Sequence, residues 1–190
     1  MMMAGHFGLA AAVKAKSPNI PLWALLVSTQ LLDIVFLPLF IAGIESMQPV
    51  AGNGYGGYLF QAYYSHSLLG ALLIALLTGL AANRFWGRRG GVILSSVVFS
   101  HWILDLLVHR ADLPILPGNL GDLPLLGLGL WNFTMASILI ESTLIIVGAI
   151  LYFRTILATA RAGQKAMTMT VLKGVTMGVL MAFLLFVDVI

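Results

Sequence analysis

Five apolar stretches, each long enough to cross a bilayer, leave this chain few ways to fold. A helix needs about 20 consecutive apolar residues to span the hydrocarbon core. The stretches cover approximately 21–44, 64–82, 91–109, 130–153 and 174–190. In lipid, backbone polar groups must find partners within the segment, so each stretch reads as a helix. Composition agrees. Of 190 residues, 60% are hydrophobic and 9% charged, with a mean hydropathy of +1.01; a soluble domain carries about 25% charged residues. The expected fold is all-α: a single polytopic domain over 1–190 with five transmembrane helices. A shorter apolar helix, about Gly5 to Ala15, precedes them and reads as interfacial or re-entrant. Pro21 suits a helix start, and Pro38 is expected to kink the outer half of the first span.

Charge gives the orientation. Lys14, Lys16, Arg84, Arg88, Arg89, Arg154, Arg161, Lys165 and Lys173 fall on one side of these spans, and Arg110 alone falls on the other. The positive-inside rule makes the first side cytoplasmic, with the N-terminus inside and the C-terminus outside. The net charge of +3 thus comes from loops and describes no nucleic-acid face. Cysteine is absent, which excludes disulfides, thiolate metal sites and iron–sulfur clusters. No charged n-region or cleavage site marks a signal peptide. The outer loops are a glycine-rich stretch, Glu45 to Ala62, and a proline- and leucine-bearing stretch, Arg110 to Gly129. The second reads as lying on the membrane surface or under a partner protein. Tyr55, Tyr58, Tyr63, Tyr64 and Trp131 read as an outer aromatic belt, and Trp23, Phe85 and Trp86 as an inner one.

Against this background the ionisable residues inside the apolar segments stand out, because such groups are costly in a bilayer and mark function by default. His101, Asp105 and His109 are four apart and form one helical stripe. At 1.5 Å per residue, His101 lies about 12 Å and Asp105 about 6 Å from the outer end of the third span. The pair admits two readings: a hydrogen bond that orients helices, or half of a metal site. His109, at the interface, reads as a helix-terminal residue. His66, in Ser65-His66-Ser67, opens the second span at nearly the depth of Asp105, so a shared site is plausible geometry. Asp33 and Glu141 lie near the middle of the first and fourth spans. Each is either protonated and hydrogen-bonded or shares a cation or histidine. Asp188 reads as a terminal surface group, and His6 opens the short N-terminal helix.

The order of four of these motifs resembles the membrane-bound metal-dependent hydrolase family, small polytopic proteins of bacterial inner membranes. The likeness lies in His6-Phe7-Gly8-Leu9-Ala10, Leu31-Leu32-Asp33-Ile34, Ser65-His66-Ser67-Leu68-Leu69-Gly70, and Ser100-His101 through Asp105, over roughly residues 5 to 110. The resemblance implies that His6, Asp33, His66, His101 and Asp105 are metal ligands or support them. It implies Zn²⁺ or a similar divalent ion activating a water against an ester or phosphoester. The chain departs from the family at Asp33-Ile34-Val35, where the family pairs aspartates. It departs again at Gln61-Ala62-Tyr63-Tyr64-Ser65, where the family has His-Arg-Gly before Thr-His-Ser. These departures count against a two-metal site and against phosphate binding.

Three functions follow as expectations. The first is a metal-binding membrane protein with His66, His101, Asp105 and His6 as ligands and Asp33 or Glu141 as a further ligand or general base, acting on a lipid-like substrate. His6 joins only if its helix is re-entrant. The second is an accessory subunit of a larger membrane complex, with the polar residues as interhelical glue. The third is a small permease using Asp33 and Glu141; the lack of an internal repeat weighs against it.

Overall fold

A computed structural model describes residues 3–50, 56–161, 163 and 167–189. It contains six α-helices and one β-hairpin: α1 Met3–Lys16, α2 Leu22–Thr29, α3 Leu31–Ile41, β1 Ser46–Pro49, β2 Tyr58–Gln61, α4 Leu68–Val108, α5 Thr134–Arg161 and α6 Met167–Val189. α4 and α5 are each long and apolar enough to cross a membrane, and α2 with α3 makes a third candidate bent by 50°. The helical expectation holds for most of the described residues; the addition is the hairpin, which pairs antiparallel from Ser46 opposite Gln61 to Pro49 opposite Tyr58. Strand pairing gives the backbone of this connection the partners that a glycine-rich loop would lack. It also turns Phe60 into the core beside Phe36, Val108 and Trp131. Trp131 is therefore buried and does not belong to an aromatic belt. Tyr55, Lys165 and the side chain of Asp188 lie outside what is described.

α4 is two helices. Gly87 has φ 67° and ψ 178°, a left-handed conformation that favours glycine. On a straight helix Gly79 and Gly91 would stand about 18 Å apart. Here a Cβ on Gly91 would meet the Gly79 carbonyl oxygen at 2.6 Å, so the chain reverses and the arms 68–86 and 88–108 pack face to face. The loop expected between the second and third spans shrinks to this one glycine. The first arm starts at Leu68, four residues later than Tyr64, because Ser67 caps it by accepting the Gly70 N–H at 3.1 Å. His66 is left in the turn ahead of the helix.

The first span breaks at Gln30 and not at Pro38, which lies inside α3. The Thr29 hydroxyl donates to the Leu26 carbonyl at 2.8 Å. That carbonyl would otherwise take the Gln30 N–H, which bonds instead to Val27 O at 3.2 Å. A side chain competing with the backbone thus ends α2.

α1, expected as an interfacial or re-entrant helix, is inserted among the other helices of the bundle. It packs against α5, α2, α6 and α4. Glycines allow the closest approach: a Cβ on Gly8 would lie 2.7 Å from Leu144 O, and one on Gly148 would collide with the Gly8 backbone. The facing stripe of α5 is Ser137, Glu141, Ile145, Gly148 and Tyr152, at helical spacing. α1 therefore begins in the bundle interior and ends at Lys14 and Lys16, where cations suit a helix C-terminus. Lys16 shares a depression with Arg89, and Lys14 shares a groove of about 780 Å³ with Lys173, which brings these basic residues to one end of the bundle.

Candidate metal centre

The break at Gln30, the turn before α4 and the second arm of α4 together place two imidazoles and two carboxylates around one point. His66 Nε2 lies 3.4 Å from Asp33 Oδ1 and 3.5 Å from Asp105 Oδ2. His101 Nε2 lies 3.8 Å from Asp33 Oδ2 and 3.1 Å from Asp105 Oδ2. Four ligand atoms placed tetrahedrally about 2.0–2.1 Å from a zinc-sized ion are about 3.4 Å apart, the middle of this range. The donor atoms of Asp33, His66 and His101 all lie within 4.8 Å of one another, as do those of His6, His101 and Asp105.

The outward nitrogens of three rings decide which way their lone pairs point. His101 Nδ1 faces the Thr29 carbonyl, an acceptor only, so it carries the proton and donates. His66 Nδ1 meets Ser65 Oγ at 2.8 Å; that hydroxyl donates its own proton to Glu45 Oε2, also at 2.8 Å, so His66 Nδ1 must donate to it. Glu45 is held in turn by the backbone N–H groups of Tyr64 and Ser65. His109 Nδ1 donates to Asp112 Oδ1 at 2.9 Å, and Asp112 Oδ2 accepts the Phe60 N–H. Each ring therefore has a protonated, tied-back Nδ1 and can present the Nε2 lone pair to the centre. This is how metal-bound histidines are oriented. The Trp102 indole adds a donor to the His66 carbonyl at 2.9 Å, fixing its backbone.

His6 completes the cluster. Its ring stacks on His101 at 4.0 Å between centroids, and its Nε2 lies 3.5 Å from Asp105 Oδ1. Neither nitrogen of His6, neither oxygen of Asp33, nor His101 Nε2 makes a hydrogen bond, although all are buried. Orphaned polar atoms of this kind are rare and costly in one place unless something binds them. Asp33 and Asp105 with neutral imidazoles carry two negative charges, which one divalent cation cancels. The donor set thus fits a divalent ion.

The structure brings together His6, Asp33, His66, His101 and Asp105. Glu141 stands one step back: it is fully buried and accepts the Gly5 N–H at 2.9 Å, anchoring the first turn of α1. His109 was expected at the interface, but it is buried, 3.8 Å from Asp105 Oδ1, between Phe60 and Trp131. The i+4 stripe carried that signal. Thr29, Glu45, Ser65 and Asp112 escape sequence reading; only the three-residue spacing of His109 and Asp112 hinted at a partnership. No family model, curated protein or solved structure matches this chain.

Proposed function

We propose that this chain is a divalent-metal protein of the bacterial inner membrane with hydrolase-like chemistry. The observation that carries the metal reading is the set of tied-back Nδ1 atoms, which aims the His66 and His101 lone pairs at the Asp33 and Asp105 carboxylates. Zinc suits the two-nitrogen, two-oxygen donor set. The hydrolytic part rests on the resemblance of the four motifs: the ion would supply an activated water against an ester or phosphoester. In this reading α2–α3, the two arms of α4, α5 and α6 are five spans, the basic end is cytoplasmic, and α1 re-enters from that side. Leucines 69, 72, 73, 76, 77 and 80, exposed on the first arm of α4, support a lipid-facing surface.

The test is direct. The protein is purified in detergent, its metal content is measured, and the measurement is repeated with His101→Ala and Asp105→Ala. Stoichiometric metal in the parent, lost in both variants with helicity kept, is the expected result. A folded, metal-free parent that takes up no added zinc removes the reading. Release of p-nitrophenol from ester and phosphoester probes by the loaded protein tests the hydrolytic part separately.

A further inference from the structure

The centre has more donors than one ion uses. Asp105 Oδ2 faces His66 and His101. Asp105 Oδ1 faces a different pair, His6 Nε2 at 3.5 Å and His109 Nε2 at 3.8 Å. His101 lies near both sides, but its one available lone pair serves one ion, and its shortest approach is to Oδ2. The far side of the carboxylate is therefore left to His6, which makes no hydrogen bond through either nitrogen, and to His109, oriented inward by Asp112.

Charge points the same way. Glu45, Asp105, Asp112 and Glu141 are buried, and Asp33 is nearly so, while no lysine or arginine is buried among the described residues. Glu45, Asp112 and Glu141 each stand next to a candidate ligand, through Ser65, His109 and Gly5 respectively. One divalent ion balances Asp33 and Asp105 only.

We infer that Asp105 bridges two divalent cations, the second held on its Oδ1 by His6 and His109. The inference rests on the metal reading above and deepens it. The first ion has four protein donors, Asp33, His66, His101 and Asp105. The second has three, which leaves a position for water, the arrangement of catalytic and not structural zinc. Carboxylate-bridged ions stand about 3.5–4 Å apart.

Full-length protein in nanodiscs, stripped with a chelator and titrated with Co²⁺, gives a readout independent of activity. Two cobalt ions per chain are expected, with the integrated EPR signal per cobalt falling as the second ion couples to the first. His6→Gln and His109→Gln should each bind one cobalt with an uncoupled signal. One cobalt in the parent, uncoupled and unchanged by either substitution, overturns the bridged pair and leaves the single-metal reading standing. No cobalt at all overturns both. Two uncoupled ions, or a coupled pair that survives both substitutions, overturns the bridge or its ligands. Where a variant fails to fold, the parent titration alone decides.

Discussion

The imidazole of His6 lies flat on that of His101, with centroids 4.0 Å apart and planes 9° from parallel. One ring comes from the first turn of α1 and the other from the second arm of α4, so their meeting ties the N-terminal helix to the centre of the bundle. Both rings face Asp105, and in the proposed metal reading a shared cation would hold both as neutral ligands. Metal removal should therefore loosen α1 first. Ligand held at about 1,000 times its Kd stabilises a fold by about 4 kcal/mol. Chelation is expected to lower Tm and to raise deuterium uptake in α1 before α4 or α5. Equal Tm and equal uptake with and without metal would refute the linkage.

Glu141 should control this docking without being a ligand. Its Oε1 accepts the Gly5 N–H in a fully buried site. Glu141→Ala leaves that amide unsatisfied, at a cost of about 1–3 kcal/mol. Glu141→Gln keeps an acceptor oxygen and should recover most of the loss. Thermal unfolding of the two variants, with metal content measured alongside, checks the order Ala below Gln below parent. If both variants lose metal completely at unchanged Tm, Glu141 is a ligand and the anchoring role is wrong.

Much of this centre was legible in the chain, for a physical reason. A buried carboxylate or imidazole in an apolar helix is visible by contrast, and a four-residue spacing places His101 and Asp105 on one face whatever the tertiary fold. Matching depth brought His66 to the same level. The rest depended on contacts between distant segments. α1 is too short to read as a span, and its insertion depends on Gly8 meeting Gly148, which no local pattern reveals. Pro38 is a stronger helix breaker than Gln30 by propensity alone. The break nonetheless falls at Gln30, where the Thr29 hydroxyl takes the Leu26 carbonyl. His109 looked terminal because it ends a helix, and the hairpin and Trp131 that cover it come from elsewhere in the chain.

The relay behind His66 makes a separate prediction. Ser65 links the His66 ring to Glu45 through two 2.8 Å hydrogen bonds and so fixes which nitrogen carries the proton. Ser65→Ala removes the link and leaves all proposed ligands in place. Loss of such supporting partners typically weakens metal binding about 10- to 100-fold. Competitive titration against a chromogenic chelator is expected to show a drop of that size, with Ser65→Thr restoring much of it. An unchanged affinity in a folded Ser65→Ala protein would mean that the ring needs no such orientation.

Gly148 gives the sharpest test of how α1 reaches the centre. A Cβ there would collide with the backbone of Gly8, which no side-chain rotation can relieve. Gly148→Ala should therefore push α1 off α5 and withdraw His6, although alanine favours a helix interior by about 1 kcal/mol over glycine. Gly178, in α6, is a matched control, because a Cβ there meets nothing within 4 Å. Gly178→Ala should be neutral or stabilising by up to that amount. Gly148→Ala should lower Tm, increase protease cleavage within α1 and lose the cobalt attributed to His6, while Asp33, His66, His101 and Asp105 still hold one ion. Equal behaviour of the two alanine variants would show that the Gly8–Gly148 crossing does not set the depth of α1.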